Sequence, residues 1–124
     1  MPIVKSDDAP EFDLAGVCIR GLSSPSRGAL ETMSYRVDLR PGQRLPEHTH
    51  DHEEVFHVLS GSITVSLDGE ETPLGPGDTV MIPPGVSHFS YADGSLAAAI
   101  LAMMPVGTVM IRPGGERLAP PWGE

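Results

Sequence analysis

The segment GQRLPEHTHDHEEVFHVLSG, residues 42–61, sets His48, His50, His52 and His57 among Glu47, Asp51, Glu53 and Glu54. Neutral imidazoles beside carboxylates suit one divalent transition metal, Fe, Mn, Co, Ni, Cu or Zn. In an extended chain alternate residues share a face, so His48 and His50 project together. Glu54 opens the next run of β character, and a bend over Asp51 to Glu53 would swing its carboxylate toward the two imidazoles. A fourth ligand is available in His88, which follows the corner Pro83-Pro84-Gly85. The metal set His48, His50, Glu54 and His88 leaves one or two coordination positions for water or substrate, and open positions permit chemistry. His57 lies three residues beyond Glu54 and points to the opposite face. His52 sits in the bend, where it could ligate, pass a proton to a bound molecule, or face solvent.

Charge is distributed in a way that fits a cation site. The 124 residues carry a net charge of −9, yet residues 45–111 contain no Lys or Arg and hold nine acids and all five histidines. The flanks, with eight acids and eight bases, sum to zero. Nucleic acid or an anionic membrane surface would need clustered cations, so neither is an expected partner. The same gap argues against a polyanionic substrate, whose phosphates would face carboxylates. Arg44 is the nearest cation able to anchor a single substrate carboxylate, and otherwise reads as a surface guanidinium. No nucleophile with a base partner, phosphate-cradling loop or dinucleotide fingerprint is present. One cysteine, Cys18, excludes an intrachain disulfide. The N-terminal MPIVKSDDAP lacks a basic start and an apolar stretch, which makes the cytoplasm the expected compartment. The longest apolar run, Leu96 to Val106, spans 11 residues, against the roughly 20 of a membrane span.

The elements that must position these residues are short strands. MSYRVDL, residues 33–39, alternates apolar and polar without exception, as a half-buried strand does. Val55 to Leu59 and Ser62 to Leu67 follow, the latter closed by Asp68-Gly69, a strong two-residue hairpin signal. A meander is expected to form there. Thr79 to Ile82, Ser87 to Tyr91 and the buried run Leu96 to Met104 complete the pattern, separated by turns at Gly75-Pro76-Gly77-Asp78 and Pro83-Pro84-Gly85. The fold class is all-β with little helix, an antiparallel sandwich or barrel. One domain is expected, with a core of about residues 31–111, an N-terminal arm 1–30 bearing a strand near Gly16 to Leu22, and a loose tail 112–124.

Two motifs also carry a family resemblance. Gly42, five residues, His48-Thr49-His50, three residues, Glu54, six residues, Gly61 resembles the first motif of the cupin superfamily at every position. Gly77, five residues, Pro83-Pro84-Gly85, two residues, His88 resembles the second. One departure is Ala92, where the second motif commonly ends in Asn. The resemblance implies a jelly-roll β-barrel holding one metal near its middle through His48, His50, Glu54 and His88, often in a homodimer.

The superfamily spans dioxygenases, isomerases, decarboxylases, cyclases, regulators and storage proteins, so the site must be read directly. The first reading is a metal-dependent enzyme acting on a small organic molecule. Dioxygenase-like oxidation is placed ahead of Lewis-acid isomerase or decarboxylase chemistry, and Glu54 is the catalytic proton carrier. The alternative is a non-catalytic small-molecule-binding or sensing module, in which the metal is structural or holds a ligand.

Overall fold

The computed structural model describes residues 1–124. Twelve strands dominate it: β1 Glu11–Leu14, β2 Val17–Gly21, β3 Thr32–Leu39, β4 Thr49–His50, β5 Glu54–Ser60, β6 Ile63–Leu67, β7 Glu70–Leu74, β8 Thr79–Ile82, β9 His88–Ala92, β10 Ala98–Pro105, β11 Met110–Ile111 and β12 Arg117–Leu118. Helical structure is limited to three short 3₁₀ turns, Ser6–Asp8, Pro25–Arg27 and Pro121–Gly123. No helix is long and apolar enough to cross a membrane.

The strands form an antiparallel jelly roll. A six-stranded sheet in the order β1-β2-β3-β10-β5-β8 faces a three-stranded sheet β7-β6-β9, and β12-β11-β4 forms a third. From β5 onward the chain crosses repeatedly between sheets, so the expected meander is corrected. Between β5 and β10 only β6–β7, over its tight turn, pairs as a local hairpin. Strand patterning specifies which face is buried, while the partner across the core is chosen by packing. The three ladders stay separate rather than joining into one continuous sheet.

Alternation in β3 survives intact: Met33, Tyr35, Val37 and Leu39 are buried. They join Val17, Ile19, Phe56, Val58, Ile63 and Ile100 in a single core between the sheets. Burying each such side chain contributes about 1.5–3 kcal/mol, so the layers are held mainly by this interdigitation. Asp68 (φ +49°) and Gly69 (φ +87°) both adopt positive φ in the β6–β7 turn, the conformation a tight two-residue hairpin requires. Gly61 (φ +73°) lies where a Cβ would strike the Ala97 carbonyl and Ala98, and so brings the end of β5 against the start of β10. Ala92 keeps its place without an Asn. Its carbonyl accepts from Gly42 N at 3.1 Å and its N–H donates to Gln43 O at 3.0 Å.

Both ends of the chain are more ordered than their composition suggests. The arm holds β1 as well as β2, joined by Ala15 (φ +51°) and Gly16 (φ +87°). Ala rarely takes positive φ, so no turn signal marks that hairpin. The tail is not loose: β12 pairs with β11, and Trp122 is only 4% exposed. Its ring lies 6.4 Å from Phe12 and 5.5 Å from Tyr35. A single aromatic in a Pro- and Gly-rich stretch has no periodicity to reveal it, and its anchorage depends on contacts far away in sequence.

Candidate metal centre

The four residues singled out by spacing come from three different places in the fold. Glu54 begins β5 in the six-stranded sheet, His88 begins β9 in the facing sheet, and His50 ends β4. His48 precedes β4 and lies directly opposite His88, the two residues exchanging backbone bonds of 3.1 Å and 2.9 Å. Antiparallel neighbours of this kind stand side by side on one face. The ring centroids of His48 and His88 are 4.4 Å apart, and those of His48 and His50 are 4.7 Å apart. All four side chains are buried, Glu54 completely. One ligand atom from each lies within 4.8 Å of all the others.

Each imidazole is oriented in the same way. Nδ1–H of His48 donates to Pro46 O at 2.6 Å, that of His50 to Val109 O at 3.2 Å, and that of His88 to Val86 O at 2.9 Å. A carbonyl can only accept, so Nδ1 carries the proton in each ring. In the neutral imidazole Nε2 is then left with a bare lone pair. The Nε2 atoms of His48 and His50 face each other at 3.0 Å. Two lone pairs at that separation repel unless a cation lies between them and the other donors.

Glu54 presents its two oxygens differently. Oε2 accepts from Tyr35 Oη at 2.6 Å and lies 3.5 Å from His50 Nε2. Oε1 lies 3.3 Å from His88 Nε2, and these two buried atoms have no hydrogen-bond partner. Orphaned buried polar atoms are rare and call for a missing partner. Three lone-pair nitrogens and one uncommitted carboxylate oxygen match the hard and borderline donors that divalent transition metals take, so the residues fit such an ion.

The electrostatics divide the rings: although burial lowers it, the pKa of His50 is raised by its contact with Glu54, whereas that of His48 falls. Burial, reinforced by the neighbouring His88 and His50, lowers the His48 pKa to about 4, which keeps it neutral. Burial alone would raise the Glu54 pKa, but the imidazoles of His50 and His88 outweigh it and hold the carboxyl at about 2. Burial and the Glu54 charge raise Tyr35 well above its ordinary value, so its phenol stays protonated and donating.

The remaining candidates lie elsewhere. His57 points away from Glu54 and bonds to Thr79 Oγ1 at 2.8 Å. His52 is half-exposed and lies against Asp51 Oδ1 at 2.9 Å, outside the cluster. Arg44 does not share the face of His48. The alternation slips across Pro46, leaving Leu45 and His48 inward, and the guanidinium sits 4.3 Å above the Phe89 ring. Sequence reasoning missed Tyr35 as a partner of the site. Its inward parity was visible and a buried phenol demands an acceptor, but nothing in the sequence names Glu54 as that acceptor. Asp51 was also overlooked: it accepts from Val109 N at 2.9 Å and so fixes the segment whose carbonyl orients His50.

Comparison with known proteins follows the same lines. A family model described as a cupin domain matches residues 35–104. Protein SchB of Streptomyces halstedii is 34% identical over 101 residues, covering 80% of this chain and 73% of that protein. Quercetin 2,3-dioxygenase of Bacillus subtilis is 32% identical over 65 residues, covering 52% of this chain but only 19% of that protein. Among solved structures, the polyketide cyclase RemF of Streptomyces resistomycificus superposes with a TM-score of 0.74 at 24% identity, over 85% of this chain and 79% of that one.

Proposed function

This chain belongs to the cupin superfamily, and we propose that it is a metal-dependent enzyme centred on His48, His50, Glu54 and His88, acting on a small neutral organic molecule rich in oxygen. The observation that carries this reading is the convergence of three Nε2 lone pairs with the unpartnered Glu54 Oε1, every Nδ1 being tied to a main-chain carbonyl. A metal held there would polarise a substrate oxygen as a Lewis acid or, if redox-active, activate dioxygen.

The chain's own residues supply the rest. The three carbonyls fix ring orientation before any ligand arrives, which lowers the reorganisation needed for binding. Glu54 is the only carboxylate among the four and would take a proton from a substrate hydroxyl at Oε1 whenever that atom is not ligating. Tyr35 holds Oε2 throughout and so keeps Oε1 aimed at the three imidazoles. Leu14, Ile19, Leu45 and Phe56 line the space beside His48 and His50 and keep it dry. A dry site strengthens every charge interaction within it. Those walls provide no cation for a carboxylate or phosphate, which favours dioxygenase-like oxidation of a hydroxy-carbonyl compound over decarboxylation or sugar-phosphate isomerisation. Similarity to a protein named quercetin 2,3-dioxygenase supports that order.

The test is elemental analysis of protein purified without metal supplementation, followed by oxygen uptake on a panel of enediols, diketones and catechols. About one equivalent of a divalent transition metal, with metal-dependent oxygen consumption on at least one compound, is expected. Absence of stoichiometric metal after reconstitution with Fe, Mn, Co, Ni, Cu and Zn in turn would overturn the reading.

A further inference from the structure

Beside the imidazoles of His48 and His50 lies an enclosed space of about 10 Å³, the room of a single water. Tyr35 and Phe56 border it from the sheets, and Trp122 closes it from the C-terminal segment. Trp122 belongs to no strand. It sits on the 3₁₀ turn Pro121–Gly123, 96 residues after Ser26, which donates from its N–H to Glu124 O at 2.9 Å. Arg27 completes the attachment, its guanidinium donating to Leu22 O and Trp122 O, both at 2.8 Å. Gly123 packs so closely on Met33 Sδ that a Cβ there would collide with it. These contacts seat the turn in one place without making it part of a ladder. Of the three aromatic walls, Tyr35, Phe56 and Trp122, it is the one carried by no strand.

A second observation singles out the indole. Its Nε1–H is buried and has no acceptor, although Trp122 is only 4% exposed. Phe or Leu would fill the same space without an unsatisfied donor, and buried N–H groups are nearly always paired. Trp122 also lines the space beside the imidazoles of His48 and His50, where an oxygen of a bound molecule could serve as that acceptor.

We propose that Trp122 forms the ligand-contacting wall of the metal site: its turn withdraws to admit a flat neutral molecule, and its indole N–H then donates to an oxygen of that molecule remote from the metal. The inference rests on the metal-centre reading and deepens it by naming the ligand class. A planar hydroxy-carbonyl compound meets each requirement. Two adjacent oxygens serve the metal, an apolar ring packs against Phe56 and Leu45, and a further oxygen accepts from Trp122. A dianion finds no side-chain cation here to pair its second charge, because no Lys or Arg lies anywhere between residues 45 and 111 and none lines the cavity.

Trp122 is the only tryptophan in the chain, so intrinsic fluorescence reports this wall alone. The probe is maltol, a neutral hydroxy-pyranone, titrated into zinc-loaded protein, with oxalate as the doubly charged chelator of comparable bite and free tryptophan amide as the optical control. A saturable change in Trp122 emission with maltol is expected. Trp122→Phe should keep its full equivalent of zinc and bind maltol about five- to tenfold more weakly by calorimetry, the loss of one neutral hydrogen bond. Oxalate should bind at least tenfold more weakly than maltol and be indifferent to the substitution. Full zinc with no saturable emission change overturns the inference alone, as does equal maltol affinity in Trp122→Phe. Oxalate binding as tight as maltol overturns the assigned ligand class. Failure to load zinc overturns the metal-centre reading and this inference with it. The wild-type emission change stands whether or not the variant folds.

Discussion

His48, His50 and His88 turn their Nδ1–H groups to backbone carbonyls and bring their Nε2 atoms together in the interior, whereas His52 and His57, from the same stretch of chain as the first two, bond to Asp51 and Thr79 at the outer surface. Composition does not separate the two groups. What separates them is the partner found by Nδ1. A main-chain carbonyl is rigid and can only accept, so it specifies both tautomer and ring direction. A surface hydroxyl or carboxylate specifies neither once solvent competes. The inner group also acquires a chemical state from its surroundings, with burial lowering the pKa of His48 and the contact between His50 and Glu54 raising the one and lowering the other. Proximity in sequence thus nominates ligands, and second contacts select among them.

This contrast is sharpest if one inner ring is removed. His50→Ala should lower metal affinity about a hundredfold or more, because an incomplete sphere loses both a donor and the partner of Val109 O. Metal content by elemental analysis checks it, and full occupancy would break the distinction between the two groups.

Glu54→Gln should retain partial metal, since the amide oxygen remains a donor, and lose about a hundredfold in turnover, the usual contribution of a general base. Steady-state kinetics on metal-loaded protein with whichever panel compound consumes oxygen reads this. Full activity would leave Glu54 a ligand only.

Tyr35→Phe is a smaller change that leaves every ligand in place. It frees Glu54 Oε2 from its 2.6 Å hydrogen bond, and metal affinity should fall about tenfold. The d–d spectrum of the cobalt-loaded variant should shift as the carboxylate reorients, a signature that lost packing alone would not produce.

His57→Gln should leave metal content unchanged and alter stability by less than about 0.5 kcal/mol, as expected of a substitution at the outer surface. Thermal melts together with elemental analysis check both statements. Metal loss in this variant would put His57 on the wrong face.

How far the sequence could be read follows from the same physics. The strands were legible wherever alternation ran long enough, as in Met33 to Leu39, or where a turn demanded special residues, as at Asp68-Gly69. The Ala15-Gly16 hairpin was not legible, because Ala at positive φ follows from the pairing around it rather than from its own preference. Parity was reliable within a strand and slipped across Pro46, where Leu45 and His48 both turn inward, while Arg44 is the surface guanidinium it otherwise read as.

By itself the sequence determined the donor types, their spacing and the absence of competing cations, since these are properties of residue identity and of the two-residue repeat of an extended chain. It thereby determined that His48, His50, Glu54 and His88 could meet, and that no Lys or Arg between residues 45 and 111 would stand beside them. Only the tertiary structure decided what stands behind and in front of those residues: the carbonyls of Pro46, Val86 and Val109, the phenol of Tyr35, and the indole of Trp122. Each of these contacts but those to Pro46 and Val86 joins positions far apart in the chain, and no local preference encodes them. They exist because two sheets and a terminal turn bury a common core, and burial obliges every polar group inside to find a partner.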